Sequence, residues 1–369
     1  MLSWHKPPQI QENMSNLQIG LAIAGGVALA AVIAHSAWSS RRNTPRQAQP
    51  LQEPSADELA QADASVAPSL DSDLLLGSGD ADTPAFVLPR PPVRLAMDAL
   101  IDVIATVALD PATPAVSGEA ALAAMPATRR AGTKPFSIEG YNLQTLVWEV
   151  PSAGQRYGGF QAGVQLANRT GALNEIEYSE FVVKTQAFAD TLNATPEFPE
   201  MLDEVARARE LDQFASAHDA QLGFTLRARN ASWSPGYIHQ NAARLGFVAG
   251  AIPGRMVLPA SVEGLPPVLV LGFDSQAALA EDPAQSAIRE LSMHLDVAQV
   301  DRAERPFERM CEAVNALAAA MDGLVTDDDG QALAPETMGV IAGDLQLLYD
   351  ALQQRDIAAG SLIARRLFS

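Results

Sequence analysis

The chain has 369 residues, a formal net charge of −19 and a pI near 4.6. Acidity on that scale excludes a nucleic-acid binder that works through clustered Lys and Arg, and a polybasic domain lying on anionic lipid. The one cysteine, Cys311, excludes an intrachain disulfide, as expected of a reducing compartment.

Residues 1–16 form an N-terminal extension without structural pattern, in which Met14 is an alternative start to Met1. Residues 17–38 read LQIGLAIAGGVALAAVIAHSAW, with no Asp, Glu, Lys or Arg. As a helix this run would be roughly 33 Å long, enough for a hydrocarbon core of about 30 Å. Trp38 stands where an aromatic anchor belongs, and Arg41, Arg42 and Arg46 follow it. A positive cluster after the span keeps that side in the cytoplasm. A signal peptide would carry its charge before the apolar run, and a core helix would show a polar face. The expectation is a single-pass transmembrane helix with the N-terminus outside and everything after Arg41 in the cytoplasm, with membrane lipid a partner through that helix.

Residues 39–95 are rich in Pro, Ala, Gln, Ser and Asp and poor in large apolar side chains. Such a run cannot bury enough surface to fold and is expected to be a disordered linker. The cluster Leu74, Leu75, Leu76 reads as a chance apolar group rather than a docking motif.

From residue 96 the pattern is globular. Ile101, Val103, Ala105, Val107 and Leu109 alternate with other residues, as in a strand with one buried face. Phe160, Ala162, Val164 and Leu166 alternate likewise, and Tyr178, Phe181, Val182, Phe188, Ala189 and Leu192 have helical spacing. Glu175, Glu177 and Glu180 read as that helix's polar face. A second helix is expected over 199–217. The order then repeats. Leu222, Phe224, Leu226 and Ala228 alternate, and Ser234-Pro235 opens a short helix as N-cap and first helical residue. Strands are expected at 247–252, 256–258, 268–273 and 291–297. A long helix carries Phe307, Met310, Cys311, Val314, Leu317 and Met321, with Val314 at the position that Thr185 holds in the earlier helix. A last helix follows Pro335. The expectation is an α+β architecture, possibly duplicated, with units at 96–219 and 220–369. The alternating strands imply sheets with helices on one face and the other face open.

His5, His35, His218, His239 and His294 lack metal-ligand spacing. The sequence has no P-loop, dinucleotide fingerprint or nucleophile elbow. Asp327 to Gly330 with Glu336 half-matches a calcium loop, but Val325 would stand at the first ligand position, so it reads as a solvated turn. No metal, cofactor or catalysis is expected.

Three features carry a family resemblance. The span ends His35-Ser-Ala-Trp38-Ser-Ser-Arg41-Arg42, a Pro- and Gln-containing linker follows, and the last helix-and-strand segment contains Met321-Asp-Gly-Leu-Val-Thr-Asp-Asp-Asp-Gly330. With the C-terminal α+β region these resemble the ZipA family of bacterial division proteins. The resemblance covers the anchor and roughly 222–352; residues 96–219 enter only as an extra copy or extension. It implies a split β-α-β C-terminal domain, an inner-membrane tether, and FtsZ as partner, its C-terminal tail peptide lying on the open sheet face. It implies no nucleic acid. The linker is shorter and the globular region larger than the family pattern, so which half binds is open.

Strand alternation then proposes the binding face. Ser292 and His294 should face outward opposite Leu291, Met293 and Leu295, and Thr225 and Arg227 opposite Leu226. In 268–273 both alternating sets are apolar, and Leu269, Leu271 and Phe273 are assigned to the open face, with Ile252 and Met256 completing it. The competing class is a membrane-anchored enzyme or ligand sensor.

Overall fold

The computed structural model describes residues 45–48, 97–327 and 330–369. The expected anchor with Trp38, Arg41 and Arg42, the rest of the linker and the 74–76 cluster lie outside the described residues. Among the described residues no helix is long and apolar enough to cross a membrane. What they form is α+β, as expected, with eight α-helices among them. The chain divides into two compact units. Among the described residues the larger holds 97–222, 296–307 and 335–369, and the smaller holds 45–48, 223–295, 308–327 and 330–334.

In the larger unit the chain runs through β1 (Asp102–Leu109), β2 (Val116–Ser117), α1 (Gly118–Ala124), β3 (Arg130–Ala131), β4 (Lys134–Asn142), β5 (Trp148–Glu149) and β6 (Arg156–Gln165). It continues through the small pair β7 (Ala167–Asn168) and β8 (Gly171–Ala172), then α2 (Glu175–Thr191), β9 (Ala194–Glu197) and α3 (Met201–His218). The main sheet has the order β3-β4-β6-β1-β9, with β2 on β6 and β5 on β4. Antiparallel pairing sets Val103 across from Val164, Ala105 from Ala162 and Val107 from Phe160. All six are fully buried, because cross-strand partners share a face. Helix α2 closes that face: Phe181 meets Phe136 edge-on at 6.0 Å and Phe188 meets Phe160 at 5.2 Å.

Helix α2 starts with a capping box. The Asn174 side chain accepts from the Ile176 and Glu177 amides, and the Glu177 side chain accepts from the Asn174 amide. Glu177 also accepts from the Thr133 amide at 2.8 Å and hydroxyl at 2.7 Å and is buried. Glu177 therefore corrects the expected polar face, since the turn before β4 supplies the donors that let this carboxylate be buried.

The smaller unit contains β10 (Gln221–Ala228), α4 (Pro235–Ala243), β11 (Val248–Ala249), β12 (Arg255–Leu258), β13 (Leu269–Gly272), α5 (Ser275–Ala278), β14 (Glu290–Asp296), α6 (Pro306–Met321) and β15 (Gly323–Thr326), a few end residues of which fall to the larger unit. Its sheet has the order β11-β12-β13-β14-β10-β15. Helix α4 begins as expected: Ser234 Oγ accepts from the Tyr237 amide, with Pro235 in the first turn. Trp233 is wholly buried and donates its indole N–H to the Met321 carbonyl at 2.8 Å.

Residues 45–48, which composition places in the linker, are bound to this unit. The Arg46 amide donates to the Ser232 carbonyl at 2.7 Å and the Ser234 amide to the Arg46 carbonyl at 3.0 Å, and the Arg46 guanidinium pairs with Asp322 at 3.2 Å. The larger unit is completed by α7 (Pro335–Gln354) and α8 (Leu362–Leu367).

Candidate peptide-binding face

The open face of the smaller unit is built by strand register. In β14, Leu291, Met293 and Leu295 are buried, whereas His294 is exposed and Ser292 half-buried. In β10, Phe224 and Leu226 are buried, with Thr225 half-buried and Arg227 exposed between them. Thr225, Arg227, Ser292 and His294 thus lie on the face where the alternation puts them.

Strand β13 lies the other way round from the expectation. Leu269 and Leu271 are 0 % and 1 % exposed and belong to the core. Leu271 pairs with Met256 on one side and Met293 on the other, and Leu269 pairs with Leu258. Because paired residues share a face, core Met293 draws Leu271 and Met256 inward with it. Met256 is accordingly buried. Ile252 is exposed but sits in the turn before β12 rather than on a strand. Phe273, just past β13, is half-buried and turns its ring to His239, 5.7 Å away and nearly perpendicular. These five residues are not brought together as an open patch.

The face instead carries Val270, between the two leucines, and Gly272, which follows them. Val270 pairs with Val257 and His294, and Val257 with Val248. Gly272 pairs with Arg255 and Ser292. Backbone bonds Ala228 N to Arg289 O and Val297 N to Ala220 O set Gly223 opposite His294 and Thr225 opposite Ser292. One row of the face is therefore Val248, Val257, Val270, His294 and Gly223, and the next is Arg255, Gly272, Ser292 and Thr225. A Cβ on Gly272 would lie 2.9 Å from Ser292 Oγ, so glycine keeps this floor low. Three valines beside a floor of small residues, rimmed by Arg255, Arg227 and His294, can take an extended chain with a few apolar side chains. Burial lowers the pKa of His239, which stands behind Phe273.

The corresponding face of the larger unit is polar, and it is covered around Glu139 and Gly163 while Thr106 stays exposed. Its outward residues include Thr106, Gln161 and Glu139 in paired positions. The segment before β1 lies on it: the Met97 amide donates to Glu139 Oε1 at 3.1 Å, and a Cβ on Gly163 would meet Met97 Sδ at 2.5 Å. Gln161 donates to the other oxygen of Glu139 at 2.8 Å.

The larger unit also holds a cavity of about 250 Å³ lined by Asn168, Arg169, Thr170, Asp212, Asp219 and Phe368 among others. Its cationic groups are engaged. Arg169 pairs with Asp219 at 2.6 Å and Asp296 at 2.7 Å, which raises its pKa. Buried Lys134 donates to Asn168 at 2.8 Å, Thr170 at 3.2 Å and the Gly171 carbonyl, and desolvation lowers its pKa. Among the described residues no group of three or more His, Cys, Asp or Glu is placed to hold a metal ion.

Register is the signal that sequence reasoning lacked: Val248, Val257 and Val270 become a row only once β12, β13 and β14 are aligned. No family model matches the chain, and no curated protein matches it.

Proposed function

We propose that this chain is a membrane tether for the bacterial division ring, of the ZipA type. Residues 17–38 anchor it in the inner membrane with the N-terminus in the periplasm. Both units lie in the cytoplasm, and the smaller unit binds the C-terminal tail of FtsZ on its open sheet face. The chain binds without catalysing and needs no cofactor.

The observation that supports this most is the two-row face of Val248, Val257, Val270 and His294 beside Gly272, Ser292 and Thr225. The strand order adds to it. In the smaller unit β14 and β15 flank β10 and are joined through α6; in the larger, β6 and β9 flank β1 and are joined through α2. Both units are then split β-α-β folds, and we read the chain as a duplication in which one copy keeps an accessible face. The polar, partly covered face of the other copy supports reading the smaller unit as the one that binds.

The test is fluorescence anisotropy of a labelled synthetic FtsZ tail peptide titrated with the full chain in nanodiscs. Val270→Asp puts a carboxylate where an apolar contact is needed. It should weaken binding by about tenfold or more, equivalent to ~1.4 kcal/mol. Thr106→Asp, at an outward position of the larger unit, should leave binding unchanged. Loss in Thr106→Asp with none in Val270→Asp would move the site to the other unit.

A further inference from the structure

Exposed large apolar residues of the larger unit are mostly scattered singly, with one exception. In the loop after β4 and at the start of β5, Leu143 is 43 %, Leu146 64 %, Val147 51 % and Trp148 42 % exposed. The segment reads Leu-Gln-Thr-Leu-Val-Trp and carries no charge. Glu149, which follows, is turned away to accept from Asn142 at 2.6 Å and the Tyr157 hydroxyl at 3.0 Å.

The loop is held in this form from beneath. Asn142 is fully buried, and its side-chain oxygen accepts from the Gln144 amide at 2.7 Å and the Thr145 amide at 3.2 Å. Its amide group donates to Glu149 and, at 3.0 Å, to Gln155. The Leu146 amide donates to the Asn142 carbonyl at 2.9 Å, and the Asn142 amide to the Val147 carbonyl at 3.0 Å. Leu146 has φ +58°, a left-handed conformation that leucine seldom adopts. The Trp148 ring leans on Tyr141, centroids 5.5 Å apart. A buried polar support thus keeps four apolar side chains in water, at the cost of local strain.

We infer that this loop inserts into the headgroup layer of a lipid bilayer, as a second membrane contact for the tethered chain. A hairpin tip presenting leucines, a valine and a tryptophan with no charge has the amphipathic chemistry of the membrane interface, where Trp is favoured. The inference rests on the tether reading, which places the chain beside a membrane.

The test uses the full chain with Cys311→Ser and an environment-sensitive nitrobenzoxadiazole label at Leu146→Cys or, in a second protein, Val147→Cys. A control carries the label at Gln213→Cys on α3. Each is reconstituted in vesicles of phosphatidylcholine and phosphatidylglycerol with a nitroxide-bearing lipid. Labels at 146 and 147 should shift their emission to shorter wavelength and be quenched, whereas the label at 213 is not. Labels that stay water-exposed while the chain co-floats with the vesicles would overturn the loop insertion and leave the tether intact. A chain that fails to co-float would overturn the tether reading and the insertion with it. Shielding that grows with protein concentration in detergent alone would make the loop a contact between copies of the chain and overturn the lipid assignment.

Discussion

Thr185 stands fully buried on α2, and its hydroxyl has no hydrogen-bond partner among the described residues. Val314, at the matching position of the apolar pattern in α6, is buried. Thr185→Val swaps an unpaired hydroxyl for a methyl of similar shape and should raise stability by about 1 kcal/mol in urea denaturation. A loss would show that the hydroxyl is bonded in solution. His239 gives a pH test. Burial holds its folded-state pKa below the ordinary 6.5. The neutral ring is the form the fold favours, so its contribution is complete above pH 6.5 and is lost as pH falls through the lower folded value. Melting temperatures of the natural chain and His239→Phe should differ by a constant amount above pH 7, and the natural chain should lose more below 6.5. Parallel curves down to pH 5 would contradict the assignment.

At the scale of elements, helix α8 is locked to β1 by one buried ion pair. Arg366 reaches Asp102 with both arms, at 2.5 Å and 2.8 Å, and Asp102 is 2 % exposed. Arg366→Met removes the counter-ion of that buried carboxylate, leaving it the Asp98 amide at 2.8 Å as donor, and should cost about 3–5 kcal/mol, most of it recovered by adding Asp102→Leu. Equal instability in the single and double variants would mean that α8 docks by packing instead. Nothing in the sequence links residues so far apart, whereas local devices were plain in it: the Ser234-Pro235 start, the alternation of Val103, Ala105 and Val107, and the apolar stripe from Phe181 to Phe188. Alternation also placed Thr225, Arg227, Ser292 and His294 outward. It failed in β13 because Leu269, Val270 and Leu271 are all apolar, so pattern alone is silent and pairing to Met293 decides. The capping glutamate Glu177 misled for a similar reason, since its buried donors come from Thr133, distant in sequence.

For the whole molecule, the docking of 45–48 changes what the linker connects. Six residues lie between Trp38 and Pro45, so the two are at most about 25 Å apart. If 17–38 spans the bilayer, the smaller unit is held near its surface, and residues 49–96 join one unit to the other. Limited proteolysis of the full chain should cut within 49–96 and spare 45–48, and Arg46→Glu, by reversing the pairing with Asp322, should open 45–48 to cleavage. Cutting at 45–48 in the natural chain would return the whole of 39–95 to a free tether. The central claim is that the chain carries FtsZ to a membrane through the valine row. Its most direct measurement is flotation of purified FtsZ with vesicles bearing the full chain. The natural chain should bring FtsZ to the lipid fraction, FtsZ lacking its C-terminal tail should stay behind, and Val270→Asp vesicles should recruit little. Recruitment independent of the tail, or undiminished by Val270→Asp in a folded protein, would contradict the account.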